Sequence, residues 1–305
     1  ELALFLQLEE KSWPQILKTS SFPLNLPRRL AEKIEKNNWQ DPILKQFLPS
    51  VEEEIKTENF LEDPVSDSAF CIEKKLLQKY VGRALILASG ACAMHCRFCF
   101  RKNFNYEIET KGFTEELKII SENSSLQEII LSGGDPLSLS NKSLKQLIDA
   151  LSAIPHLKRL RFHSRFPIGI PERIDEEFLN ILETSSLQLF FVLHCNHPKE
   201  LDSDIFNAMK KIQKLGIPLL THSVLLKGIN DDFEILKELY ETLVNHGILP
   251  YYLNQLDRVQ GTAHFEVEEN RGLELMQKLR HHLSGYAVPR YIKEVPNQPS
   301  KTIIF

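Results

Sequence analysis

The sequence has no surplus of positive charge. Its 37 lysines and arginines stand against 41 aspartates and glutamates, a net charge of -4. Without a basic footprint, nucleic acid is not the expected partner. Long apolar runs are also missing. The longest, such as Leu189–Leu193, fall far short of the roughly 20 residues a membrane helix needs. No charged-then-apolar leader opens the chain, which points to the cytoplasm. There is no low-complexity tract and no internal repeat beyond the strand–helix rhythm described below. Nor is there a disulfide framework. The five cysteines are an odd number, and Cys92, Cys96 and Cys99 lie within eight residues. Clustered thiols in a chain without a leader hold a metal or do redox work more often than they staple a fold. What remains is ordinary globular composition: 305 residues, 42% hydrophobic and 26% charged. At roughly 150 residues per domain, that length suits one large domain or two modest ones.

From about residue 84, short apolar runs alternate with longer amphipathic stretches. The strand-like runs are 84–89, 128–132, 159–164, 188–194, 218–226 and 251–256. Helix-like stretches cover 113–124, 141–153, 175–185, 203–215, 231–246 and 270–284. Six strands alternating with six helices predict an α/β fold of parallel strands joined by right-handed crossovers. Six units rather than eight predict a partial (β/α)6 barrel, with a flat doubly wound sheet as the other arrangement. In either case the loops after the strands share one face, where α/β proteins place their chemistry. Residues 1–78 are polar and punctuated by proline, and they read as an N-terminal helical cap. Residues 79–285 form the barrel unit, and 286–305 leave the last helix as a C-terminal tail.

The loop after the first of these strands reads GACAMHCRFCFRKNF (90–104), with the spacing Cys-x3-Cys-x2-Cys. Soft thiolates select iron–sulfur or zinc over magnesium or calcium. A [4Fe–4S] cube on three cysteines keeps one iron open for a ligand. Zinc in a structural site needs a fourth donor, and His95 sits awkwardly between two of the cysteines. After the second strand comes LSGGDP (131–136), whose glycines let backbone approach a partner closely.

The cysteine spacing resembles the radical S-adenosylmethionine enzymes. Further motifs narrow the likeness: RALILASGACAMHCRFCFRKNF, LSGGDPL, RLRFHSRFPI, CNHPKELD, HSVLLKGIND and PYYLNQLDRVQGTAHF, in this order, resemble the lysine 2,3-aminomutase family. PRRLAEKIEKNNWQDPILKQFLPS (27–50) extends the match toward the N-terminus. The chain is most similar to the short bacterial members that make β-lysine for modifying elongation factor P. The resemblance implies a radical S-adenosylmethionine partial barrel that moves the α-amino group of L-lysine to its β-carbon. Three cofactors are implied: a [4Fe–4S] cluster, S-adenosylmethionine and pyridoxal 5′-phosphate.

The resemblance also assigns residues. Cys92, Cys96 and Cys99 would ligate the cluster, and Ser132, Gly133, Gly134 and Asp135 would line the adenosylmethionine. Lys301, in QPSKT near the chain end, would carry the pyridoxal aldehyde, with Arg83 on its phosphate and His222 also in contact. Arg101 would bind the substrate carboxylate, with Asp257 and Glu294 on its distal ammonium. His222, Asn254 and Phe98 depart from the Gln, Tyr and His that relatives carry there. His163, Arg165, His194 and Asn196 end strands and would line the pocket. The implied partners are L-lysine, an electron donor such as flavodoxin or ferredoxin, and the elongation factor P ligase pathway, with neither nucleic acid nor membrane. Two other readings stay open. One is a radical aminomutase for glutamate or arginine. The other is a non-catalytic metal-binding protein.

Overall fold

The computed structural model describes residues 1–104 and 112–305. Among these residues one sheet has ten strands in sequence order. They are β1 (Cys71–Glu73), β2 (Leu76–Tyr80), β3 (Arg83–Ser89), β4 (Glu128–Gly133), β5 (Arg159–Ser164), β6 (Gln188–His194), β7 (Leu219–Val224), β8 (Leu249–Asn254), β9 (Arg290–Lys293) and β10 (Thr302–Ile303). From β3 to β9 every pair is parallel. The six predicted strands are β3 to β8, and the six predicted helices lie within a few residues of their expected bounds.

Two findings go beyond the expected division. Residues 71–80 form an antiparallel hairpin on β3, so β2 runs across the expected boundary at residue 78. The tail supplies a seventh parallel strand, β9, and folds back as β10. The helical reading of the N-terminal region holds in part, with helices at Arg28–Lys33 and Pro42–Phe47. The second is capped by Asp41, whose Oδ1 accepts from the backbone N–H of Ile43 and Leu44.

Each parallel strand alternates, and the two faces differ in chemistry. One face buries Ile86, Ile129, Leu131, Leu160, Phe162, Phe191 and Leu193 against the helices. Phe162 meets Phe178 of helix Glu176–Glu183 edge-on and stacks on Phe191. The concave face carries Ser132, Arg161, His163, His194, His222 and Asn254. The register places His194 beside His222, and their rings contact. This polar lumen is what the apolar strands were built to shape.

The sheet is open, and side chains and the N-terminal segment bridge its gap. Tyr80 and Lys79 of β2 both reach Glu294, which follows β9. Leu61 pairs with Val259 beyond β8. No helix among the described residues is long and apolar enough to cross a membrane.

Candidate active site

The cysteine loop follows β3 and is clamped from the N-terminal side. Arg97 is fully buried; its guanidinium donates to Glu53 and to the carbonyl of Phe22. Lys102 donates to the same Glu53 at 2.8 Å. His95 donates from Nδ1 to the carbonyl of Pro23 at 2.8 Å and stacks on Phe22. That engagement turns its ring to the N-terminal segment rather than to the cysteines.

The glycines of LSGGDP serve this loop directly. A Cβ on Gly134 would lie 2.4 Å from the carbonyl oxygen of Ala91, and one on Gly133 2.5 Å from that of Ser89. Gly133 also sits at φ +112, a region that favours glycine. The close approach is therefore to the backbone leading into Cys92. Gly134 N–H donates to Ser89 and Asp135 N–H to Ala91. Gly134→Ala should push the cysteine loop away, at a cost of about 1–3 kcal/mol for overpacking. Iron and sulfide content after anaerobic reconstitution should fall with it. Full content at an unchanged melting temperature would contradict this reading.

Asp135 is buried, and its carboxylate accepts from Ser164 Oγ and from the N–H groups of Leu137, Arg165 and Phe166. It ties the loop after β4 to the loop after β5. Burial nonetheless raises its pKa to about 6.

Burial also raises all three thiols, Cys99 to about 11, and neighbouring cysteines of the trio push Cys92 and Cys99 further. Left alone, such thiols stay protonated and inert. A bound metal deprotonates a coordinating thiol outright, so buried, mutually repelling cysteines suit a cationic cluster. Among the described residues no three His, Cys, Asp or Glu side chains converge as ligands of one ion. A cube that spreads its ligands over separate irons makes no such demand.

At the other end of the lumen, hairpin register builds a charged corner. β10 pairs with β9 so that Thr302 faces Lys293. The same register sets Lys301 opposite Glu294, with Nζ to Oε2 at 2.8 Å. Glu294 is only 10% exposed at its side chain. It also accepts from the Tyr80 hydroxyl and lies 3.9 Å from Lys79. Burial works to raise the Glu294 carboxyl, but Lys301, Tyr80 and Lys79 together hold it below the usual range. Asp257, in the loop after β8, lies close enough for Lys301 and Glu294 to affect it, and burial lifts it to about 6. Arg83 opens β3 and rests on the ring of Tyr80, 4.6 Å from its centroid.

A salt-bridge chain links this corner to Arg101. Lys79 donates to Asp67 Oδ1 at 2.7 Å, and Arg101 Nε donates to Asp67 Oδ2 at 2.7 Å. Arg101 Nη1 lies 3.4 Å from Ser132 Oγ. Between the ends stand three histidines. His222 meets His163 and His194 edge-on, at 5.2 and 4.9 Å. Burial is the first cause of their low pKa values, His222 falling to about 3. Lys301 and Arg165 both push His222 down, so it lies between Lys301 and the cysteine end. His163 Nε2 is buried without a partner among the described residues. Asn254 is occupied, donating to the carbonyl of Ser223, and Phe98 is buried among Leu226, Ile229, Leu256 and Phe265.

The expected residues are thus gathered in one lumen, with the cysteine loop, Arg101, His222, Asp257, Glu294 and Lys301 around it. Gln46, Glu53, Asp67, Tyr80 and Glu200 also brace it; Gln46 and Glu200 lie within quoted motifs, but nothing in the sequence assigns any of the five a part in the site. A family model described as a 4Fe-4S single cluster domain matches residues 81–160. L-lysine 2,3-aminomutase of Haemophilus influenzae is 41% identical over 302 residues, covering 98% of this chain and 89% of that protein. That of Escherichia coli is 41% identical over 284 residues, covering 92% and 83%.

The chain belongs to the lysine 2,3-aminomutase family.

More distant lysine 2,3-aminomutases match too. That of Clostridium subterminale is 33% identical over 273 residues, covering 88% of this chain and 66% of that protein. Among solved structures, a radical SAM methyltransferase from Sphaerobacter thermophilus shares the fold. It has a TM-score of 0.53 at 16% identity, over 71% of this chain and 68% of that one. The chain is therefore an isomerase of the aminomutase class on a partial barrel, with a 4Fe-4S cluster domain. Family membership removes the reading as a non-catalytic metal-binding protein.

Proposed function

We propose that this protein moves the α-amino group of free L-lysine to the β-carbon, and that its β-lysine serves elongation factor P modification. The observation that carries the substrate assignment is the charged corner of Asp257, Glu294, Lys79 and Lys301 at one end of the lumen, facing Arg101 through Asp67. When bound, the cluster with adenosylmethionine supplies a hydrogen-abstracting carbon radical, and pyridoxal phosphate supplies a conjugated carbonyl for the migrating amine.

The protein's own residues have orienting tasks. Cys92, Cys96 and Cys99 hold the cluster, and the Ser132–Asp135 loop lies against their backbone. Lys301 offers the amine for the coenzyme, with Arg83 as a cation for its phosphate and His222 as a neutral neighbour. Arg101, its Nε fixed by Asp67, takes the substrate carboxylate. Charge balance then selects the side chain. Were Lys301 Nζ held by the coenzyme, Glu294 would lose its ammonium partner and the corner would be left rich in carboxylate. A distal ammonium restores the balance, whereas the side-chain carboxylate of glutamate is repelled. The N-terminal segment across the sheet gap keeps water from this space. A one-electron donor of the flavodoxin or ferredoxin class completes the reading.

The experiment is anaerobic reconstitution with iron, sulfide and pyridoxal phosphate, then product analysis on lysine, arginine and glutamate. β-Lysine as the main product supports the proposal. Turnover of glutamate or arginine in preference to lysine overturns it.

Asp257→Asn sharpens the test. It should raise KM for lysine by roughly 10- to 100-fold, the worth of a hydrogen bond to a charged group. An analogue without the distal amine should be far less affected. Because Asp257 loses its proton near pH 6, lysine binding in the unaltered protein should strengthen as pH rises through that value. The Asn variant should lack this limb. Equal losses on both substrates would remove the assigned role.

A further inference from the structure

Arg165 follows β5, and its guanidinium has three neighbours that no motif connects. Nη1 donates to Cys96 Sγ at 2.8 Å. Nη2 donates to Glu200 Oε2 at 2.8 Å and to Gln46 Oε1 at 2.6 Å. The group is held between Phe47 and Phe98, 4.9 and 5.5 Å from their ring centroids. The Arg165 side chain is 6% exposed and that of Glu200 0%. Glu200 is itself locked, accepting from Gln46 Nε2 at 3.0 Å and from Asn196 N–H at 3.1 Å. Arg165 Nε is buried with no acceptor among the described residues.

A cation with two unequal anchors therefore touches one cysteine of the trio in a dry pocket, where charges act strongly. Hydrogen bonds to sulfur, net charge and solvent exposure set the potential of an iron–sulfur cluster. Reduction adds negative charge to the cluster and its thiolates. A cation donating to one thiolate favours the reduced form, and a buried anion beside that cation opposes it. We propose that the Arg165–Glu200 pair, fixed by Gln46, sets the reduction potential of the cluster: Arg165 raises it and Glu200 limits the rise. Gln46 brings the N-terminal helix Pro42–Phe47 into this role.

The inference rests on Cys92, Cys96 and Cys99 as the cluster ligands, and its test is separable from theirs. The potential is measured on the reconstituted holoprotein without adenosylmethionine, by redox titration followed by electron paramagnetic resonance. Iron and sulfide content is determined on the same samples. Arg165→Lys keeps the charge but cannot reach Cys96 and Glu200 together. It should lower the potential enough to change the reduced-to-oxidised ratio about tenfold at a fixed potential, 59 mV for one electron. Glu200→Gln should shift it the other way. Gln46→Glu adds an anion on the same nitrogen and should lower it, which keeps the test open should Arg165→Lys fail to retain iron. Potentials unchanged in variants with full iron and sulfide would overturn the inference while leaving the ligand assignment standing. A common direction for Arg165→Lys and Glu200→Gln would also overturn it. Absence of iron from the unaltered protein would instead overturn the ligand assignment.

Discussion

Lys301→Ala is expected to strip the reconstituted protein of lysine-linked coenzyme absorbance and to lower turnover by at least roughly 10²–10⁴-fold, the range for loss of a positioned proton-transfer group. The β9–β10 pairing sets residue 301 opposite Glu294, with Asp257 within electrostatic reach. The lysines described nearest to this corner are already engaged. Lys79 is committed to Asp67 and the carbonyl of Val65, and Lys293 to Glu269. The variant should still fold. Its neighbour Glu294 keeps the Tyr80 hydroxyl and Lys79, and β10 needs only backbone pairing. Cluster content should be normal. An unchanged absorbance spectrum, read alongside circular dichroism, would sink the assignment.

Cys99→Ala should abolish the cluster and all turnover while leaving a folded, colourless protein. Alanine fills nearly the same space, so the packing cost is about 1 kcal/mol, near that of one buried methylene. The loop keeps its backbone bonds, including Cys99 N–H to the carbonyl of Cys96 and Arg97 N–H to that of Gln46. Arg97 and Lys102 remain clamped on Glu53. Iron analysis and melting curves check this together. A variant that unfolds would mean that the thiol serves the fold. One that keeps full iron and sulfide would remove Cys99 from the ligand set.

These two residues were readable because they carry chemistry in a fixed pattern: thiols at ligand spacing, and a lysine that the family resemblance marks. The strands were readable because each apolar run repeats at the right interval. The lumen was half-readable. His163, His194 and His222 interrupt otherwise apolar strands, and a polar side chain in a buried strand signals an inward polar face. Glu294 reads as a surface acid from its local sequence. Only the hairpin and the close approach of β2 across the sheet gap bury it against Tyr80 and Lys301. Asp67, Gln46, Glu53 and Glu200 were not readable as parts of the site, because each acts on a residue 34 to 154 positions away. The N-terminal strands were missed because β1 and β2 are short, and they take their form from pairing with each other and with β3.

The central claim is that an adenosyl carbon generated at the cysteine end reaches the β-carbon of a lysine anchored at the Lys301 end. Isotope transfer measures that contact. Lysine carrying deuterium on its β-carbon is turned over by the reconstituted protein with adenosylmethionine and reductant, and the adenosyl 5′ position is assayed by mass spectrometry. The account predicts deuterium there, and in β-lysine formed afterwards from unlabelled lysine. β-Lysine produced with no label ever entering the adenosyl group would contradict it.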